Sequence, residues 1–507
     1  MGFPEDVAES GNERDSESSR GFGSFLGMAV LGSLVPGAGI VAAGRRWGWY
    51  VIIGWAGLIA GMTFGALELG TDGLIELGAD SERLRVLAPA LLMIAAGWLA
   101  ISVIGFNMLQ NERMPMAQRA SGAIAVVAAS SLIVAPLVLT ARNIDTQGDL
   151  IERVFASPDD RSLTSPDDAG TVEDPWAGRP QLNILLLGSD AGPGRDGVRP
   201  DTIIVASIDT GSGDVVLFSL PRNLQRVPFP DDSPLSELYP NGFTGSGDPN
   251  EYLLNAVYRN VPSLHPDIFD GAAFPGADAT KWAVEGALGL DVHYFVMVNL
   301  EGFERMVDAL GGVTIDVRYR VPIGTKLNQH TGTCTEALGW IEPGLNQHLD
   351  GFQALWYARA RCGPPPVTDD YNRMERQRCV IGAIAEQVRP ATLLRNYQRI
   401  ASATEELILT DIPQDLLPAF VDLGRDVQDA TISNLAFTDD VLVPSDPDYA
   451  KVHELVAGTL TKPPAGGDSG GGGQGDGSDG GLPVNVQTPD DVTGDDEAGA
   501  ESLKSVC

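Results

Sequence analysis

Apolar residues crowd the first third of the chain and thin out after Arg142, where short alternating segments take over. Residues 1–20 are polar and acidic and read as a disordered tail on the cytoplasmic side. No small-residue cleavage site follows a short apolar core, so no signal peptide is expected. Within residues 21–142, three stretches are long enough to span a bilayer: about 49–67, 86–106 and 123–139. Their interiors carry almost no charge, which argues against three buried core helices. The first stretch, 22–43, is interrupted by Pro36-Gly37-Ala38-Gly39, so it predicts a re-entrant hairpin or a kinked span. Arg45, Arg46, Arg113 and Arg119 place two loops in the cytoplasm by the positive-inside rule. Everything after Arg142 then lies outside the cell, on a multi-pass anchor.

Residues 143–180 are rich in Asp, Ser and Pro and read as a linker, with one α/β domain over 181–460. Asn183–Leu187, Thr202–Ile208 and Val215–Leu220 predict strands; Tyr294–Val298 and Val313–Val317 are also extended. Helical spacing appears over Asp278–Leu288, Gly302–Leu310, Gln347–Trp356 and Arg373–Val388. The segment 461–507 is Gly/Asp-rich and reads as a flexible tail. No internal repeat is evident.

The formal charge of −34 argues against a nucleic-acid partner, which requires a basic footprint. Against this background Tyr357–Arg378 holds five arginines in 22 residues. Arg359 and Arg361 share a face if extended. Arg373, Arg376 and Gln377 share a helical face, with Asp370 one turn earlier to orient Arg373. Arg378 points elsewhere on that helix and reads as solvated. A guanidinium is a planar fork that binds phosphate oxygens in pairs, so a converging cluster suits a polyanion such as a diphosphate. The bland alternative is a solvated helix with local ion pairs.

A second polar stretch, Gly188–Val205, carries Asp190, Arg199 and Asp201, and the i, i+2 spacing lets Arg199 and Asp201 point together. Two close carboxylates without His or Cys suit a hard cation, Mg²⁺ first, then Mn²⁺ or Ca²⁺. The alternative is an ordinary Asp/Gly turn. The loop lacks a lysine and the order of an ATP-binding loop. The four cysteines show no zinc spacing and permit two disulfides; the expected pairs are Cys334–Cys379 and Cys362–Cys507. Hard ligands, an arginine cage and adjacent spans together suggest phosphoryl transfer from a membrane lipid.

The segments GSD (Gly188–Asp190), RPDTIIVASID (Arg199–Asp209), SLPRN (Ser219–Asn223), LEGFERMVDALGGVTIDV (Leu300–Val317), LDGFQALWYARAR (Leu349–Arg361) and DYNRMERQR (Asp370–Arg378) resemble the LytR-CpsA-Psr family. The resemblance covers about Gln181–Gln387. It implies an extracytoplasmic α/β domain, a mixed sheet with flanking helices, behind an α-helical transmembrane region. It implies transfer of a phosphoglycopolymer from a polyprenyl-diphosphate carrier to peptidoglycan, forming a phosphodiester. Asp190 and Asp201 match the family's Mg²⁺ ligands. Arg199, Arg222, Arg359, Arg361, Arg373 and Gln377 match its diphosphate contacts, and Arg376 belongs to the same motif. Asp201, Arg222, Arg359 and Arg361 are the expected catalytic residues, with Asp201 the favoured base. The carrier's apolar tail would lie in a tunnel near Phe295, Phe303 and Met306, although ordinary core is the plainer account of each.

Three departures from the family pattern stand out. Asn223 replaces the usual aspartate after the arginine of SLPR, and it cannot take a proton. An insertion, Cys362–Thr368, lengthens the loop over the site, and the anchor has several spans. Two rivals stay open: a lipid-diphosphate phosphatase, and a membrane sensor that binds carrier lipid without turnover. Arginine-over-lysine usage suggests a GC-rich actinobacterium, which leaves arabinogalactan, a teichoic or teichuronic polymer and a capsule as candidate glycans.

Overall fold

The computed structural model describes residues 9–110, 114–156, 160, 162–166, 174–189, 198–326, 331, 333–387, 408–437, 442–461 and 501–502. The chain divides into two compact units, Met1–Glu152 and Arg153–Cys507.

The first unit is helical: α1 (Glu9–Leu34), α2 (Ala38–Ala42), α3 (Gly48–Ala79), α4 (Ser81–Leu109) and α5 (Met116–Val154), the last running just past its end. Among the described residues three segments are long and apolar enough to cross a membrane: Gly48–Gly70, Glu82–Leu109 and Met116–Asp149. The PGAG sequence breaks the first apolar stretch as expected, with Gly37 in the left-handed region at φ 98°. What remains before the break, Phe22–Leu34, is shorter than a span. Two expectations change. The segment read as a tail is helical from Glu9, and α5 continues to Val154 through the start of the segment read as a linker.

The second unit contains strands β1 (Gln181–Ser189), β2 (Pro200–Asp209), β3 (Val215–Ser219), β4 (Tyr294–Asn299), β5 (Val313–Val317), β6 (Val321–Ile323), β7 (Gly339–Ile341), β8 (Gly344–Leu349), β9 (Ile408–Thr410), β10 (Ile432–Ala436) and β11 (Glu501–Ser502). Its α-helices are α6 (Leu254–Leu264), α7 (Pro275–Leu288), α8 (Leu300–Leu310), α9 (Gly351–Arg359), α10 (Asp370–Gln387), α11 (Leu417–Asp429) and α12 (Tyr449–Thr461). The main sheet has the order β11-β10-β3-β2-β1-β4-β9. It is mixed: β1 runs antiparallel to β2 and parallel to β4, and β3 runs antiparallel to β2 and parallel to β10.

Side-chain alternation sends residues of β1 and β2 to both faces. Leu185, Leu187, Ile203 and Val205 join the largest core with α6, α7 and α12. On the opposite face Ile204 and Ala206 meet Ile381 and Ala385 of α10, while Leu182 and Ile184 meet Leu423 of α11. A separate core gathers β5, β8, α9 and α10 around Val313, Leu349, Ala354 and Val380. Helix α10 therefore touches the sheet with one face and this second core with another.

The segment 347–356, which reads as one helix in sequence, is divided. Residues 344–349 pair with β5, and Asp350 then caps α9 in a capping box with Gln353. Sheet pairing, a tertiary effect, overrides the local pattern. Ser162–Ser165 of the expected linker is bonded to the domain: Asp278 accepts from Ser162 Oγ at 2.6 Å, Thr164 Oγ1 at 2.9 Å and Leu163 N at 3.1 Å. At the other end, Glu501–Ser502 of the expected tail pairs with Ser433 and Asn434. Residues 462–500 lie outside the described residues.

Candidate active site

β1 and β3 end, and β2 begins, at one end of the main sheet: Ser189 is paired with Pro200 and Ser219 with Ile204. This register sets Asp201, near the start of β2, close to Arg222, which follows β3 by a few residues. Arg222 Nη1 donates to Asp201 Oδ1 at 2.6 Å. From much later in the chain, Arg361 places Nη2 at 3.3 Å from Asp201 Oδ2, and Arg373 Nη1 donates to the Asp201 carbonyl at 3.1 Å. Asp370 holds Arg373 through Nε at 3.1 Å and Nη2 at 2.8 Å. The i, i+3 spacing on α10 allows that grip, as the sequence suggests. Asp201, Arg222, Arg361 and Arg373 are thus brought together.

Charge is not balanced among the described residues here. Burial disfavours the Asp201 carboxylate, but the guanidiniums of Arg361, Arg222 and Arg373 outweigh it and hold its pKa below the usual value. The Asp370 pKa is likewise lowered: burial opposes, and the hydrogen bond and charge of Arg373 prevail. Arg361 moves the other way. Burial first, then the like charges of Arg373 and Arg222, lower its pKa, and Asp201 offsets this only in part. Among the described residues three arginines face two carboxylates, so positive charge is in excess there. Arg222 Nε is buried with no hydrogen-bond partner among the described residues, and so are the hydroxyls of Ser189 and Ser219.

Other predicted residues sit elsewhere. Arg199 does not join Asp201; it forms an ion pair with Glu251 and donates to Asn250 O at 3.2 Å. Glu251 also holds Arg259 and Asn260. This cluster is missing from the sequence reading, and its signal is the Asp248 turn that caps the 3₁₀ turn Pro249–Tyr252. Arg359 is the last residue of α9 rather than part of an extended end, and its guanidinium lies 5.0 Å from the centre of the Trp356 ring. Arg376 turns into the protein and binds main-chain carbonyls. Gln377 is buried on the same helix. Arg378 is buried too, not solvated, because α10 is enclosed by two cores. Asn223 is exposed beside Arg222. Phe295 belongs to the main core, and Phe303 packs partly buried on the second.

The disulfide pairing differs from expectation. Cys334 is bonded to Cys362, with Cα atoms 5.5 Å apart, so neither expected pair forms as stated. The turn after α9 brings Cys362 to the loop holding Cys334, a proximity that spacing alone does not reveal. Cys379 is also disulfide-bonded, and Cys507 lies outside the described residues.

Of the two expected metal ligands, Asp190 lies outside the described residues. Asp201 uses one oxygen for Arg222 and the other for Arg361. A carboxylate offers about four lone-pair sites, so Asp201 keeps capacity for a hard cation as one ligand. Among the described residues no group of three His, Cys, Asp or Glu side chains is arranged to hold a metal.

Comparison with known proteins bears on this site. The profile of the LytR_cpsA_psr family matches residues 158–455, which includes every described residue of the cluster. Biofilm regulatory protein A of Streptococcus mutans serotype c is 27% identical over 247 residues, 48% of this chain and 53% of that protein. The polyisoprenyl-teichoic acid–peptidoglycan teichoic acid transferase TagU of Enterococcus faecalis is 30% identical over 236 residues, 46% of this chain and 62% of that protein. The chain therefore spans less than two thirds of the length of either relative. The crystal structure of B. subtilis TagV is 22% identical and covers 55% of this chain and 95% of that one, with a TM-score of 0.38. With the family profile matched across most of its second unit, the chain belongs to the LytR-CpsA-Psr family.

Proposed function

We propose that this protein transfers a phosphoglycopolymer from a polyprenyl-diphosphate carrier to a hydroxyl of peptidoglycan. The observation that carries the reading is the guanidinium excess among the described residues: Arg222, Arg361 and Arg373 gather around Asp201, and Asp370 is the other carboxylate described there. Such a surplus suits a diphosphate, whose charge would also meet the unpartnered Nε of Arg222. The TagU relative of Enterococcus faecalis, named for transfer of polyisoprenyl-linked teichoic acid to peptidoglycan, supports the same chemistry.

In this mechanism a sugar hydroxyl attacks the phosphorus bonded to the glycan. The bond from that phosphorus to the bridging oxygen breaks, and polyprenyl phosphate leaves with the bridging oxygen and its electron pair. Arg222, Arg361 and Arg373 stabilise the charge that spreads over the non-bridging oxygens. The hydroxyl proton goes to a base or to water. Asp201 is a carboxylate at neutral pH, although its lowered pKa makes it a weak base. A Mg²⁺ ion held by Asp201 and Asp190 would supply further neutralisation of the diphosphate. With three helices able to cross a membrane, the catalytic unit would work outside the cell on a multi-pass anchor.

Product analysis tests this proposal. The full chain, incubated with a polyprenyl-diphosphate-linked glycan and peptidoglycan, should yield a phosphodiester adduct. Free glycan phosphate alone would make it a phosphatase, and bound but unconsumed carrier would make it a sensor.

A further inference from the structure

Arg376 is 2% exposed and spends its guanidinium on the protein. Nε donates to Tyr357 O at 2.7 Å, Nη2 donates to Ala360 O, and Nη1 donates to the Tyr319 hydroxyl at 2.7 Å. The two carbonyls belong to the C-terminal end of α9, where main-chain acceptors lack helical partners. A cation there is favoured by the helix dipole as well as by the hydrogen bonds. Tyr357 precedes Arg359 by two residues, and Ala360 stands between Arg359 and Arg361. Tyr319 lies between β5 and β6, and its ring centre is 5.8 Å from the Arg376 guanidinium carbon. Tyr319 thus anchors the guanidinium from a third direction.

We infer that Arg376 and Tyr319 are positioning residues that fix the end of α9 so that Arg361 meets Asp201 and the diphosphate. Arg376 touches no substrate; it acts through the backbone that carries Arg361. The inference rests on reading the guanidinium cluster as a diphosphate site.

A lysine at 376 has one ammonium in place of a fork and cannot span both carbonyls while reaching Tyr319. Tyr319→Phe keeps the ring and removes only the acceptor for Nη1. The test is calorimetric binding of geranylgeranyl diphosphate to the full chain in detergent, with thermal melts in parallel. Tyr319→Phe should weaken binding about 10-fold, the size of one hydrogen bond to a charged group, at a temperature where the melts show the variant fully folded. Arg376→Lys should weaken it more. If Arg376→Lys does not fold, Tyr319→Phe still decides.

A double-mutant cycle separates positioning from general damage. Added to Arg361→Ala, Tyr319→Phe should cost less than about twofold, because the residue it positions is gone. If wild type binds but Tyr319→Phe binds as tightly, the inference is overturned. It is equally overturned if the Tyr319→Phe penalty is undiminished in the Arg361→Ala background. If wild type itself does not bind the diphosphate, the proposed function fails instead.

Discussion

Lys281 Nζ lies 3.0 Å from Asp411 Oδ2, and the two side chains are 0% and 1% exposed. The same ammonium donates to His293 O at 2.8 Å and to Thr164 O at 3.1 Å. Asp411 also accepts from Phe295 N at 2.7 Å, so the pair ties β4, α7 and the 162–165 segment together. Lys281→Met should leave a buried carboxylate without its cation and lower stability by about 3–5 kcal/mol. Chemical unfolding of the full chain measures this; a loss under about 1 kcal/mol would show that the pair is dispensable.

The segment Ser162–Ser165 should behave as part of the folded domain. Burial raises the Asp278 pKa, while Ser162, Leu163 N and Thr164 counter it through hydrogen bonds. A soluble version beginning at Asp174 loses those three donors. It should unfold at least about 2–3 kcal/mol more readily than one beginning at Arg153, since a buried acceptor is left unsatisfied. Equal midpoints in urea would refute the docking.

Two half-buried groups give the domain opposite responses to pH. Burial pushes Glu285 up to about 7, further raised by Asp291 and Asp232, against the hydrogen bond from Val292 N and the charge of Lys281. The folded value lies above the unfolded one, so this contribution is complete below pH ~4.5 and is lost as pH rises through 7. His293 goes down to about 4, through burial and the charge of Arg179. Its neutral form accepts from Asn183 N at 2.9 Å. Its contribution is complete above pH ~6.5 and is lost as pH falls towards 4. Melts of Glu285→Gln should decline less than wild type between pH 5 and pH 8, on the order of 2–3 kcal/mol in stability. His293→Asn should reduce the acid loss below pH ~6.5. Parallel curves for a variant and wild type would remove that group from the account.

Gly351 opens α9 where a Cβ would stand 2.0 Å from Glu304 O. Gly351→Ala must push α9 away from α8, and the far end of α9 carries Arg359. The variant should lose about 1–3 kcal/mol, the usual cost of overpacking, and lose activity beyond what unfolding explains. Full activity at unchanged Tm would show that α9 has room to spare.

The sequence made some of this legible for identifiable reasons. Asp201, Arg222 and Arg373 fall in dense local motifs, and the Asp370–Arg373 grip follows from helical spacing. The strands β1, β2 and β3 follow from apolar runs and a Gly-rich turn. What escaped depends on distant partners. Arg376 and Arg378 share α10 with Arg373, yet only the placement of α10 between two cores decides that they turn inward. Arg199 satisfies the i, i+2 rule with Asp201, but Glu251 competes for it more effectively. The pairing of Cys334 with Cys362 joins segments 28 residues apart, a contact set by the tertiary fold that no spacing encodes.

The most direct test of the central claim is transfer by Arg359→Ala combined with Arg361→Ala. In purified membranes supplied with a labelled polyprenyl-diphosphate-linked glycan, wild-type protein should attach label to peptidoglycan. The double variant, expressed and folded to the same level, should lose about 10²–10³-fold in rate or more, as expected when fixed cationic donors are removed from a charged transition state. Undiminished transfer by that variant would contradict the assignment of the arginine cluster as the diphosphate site.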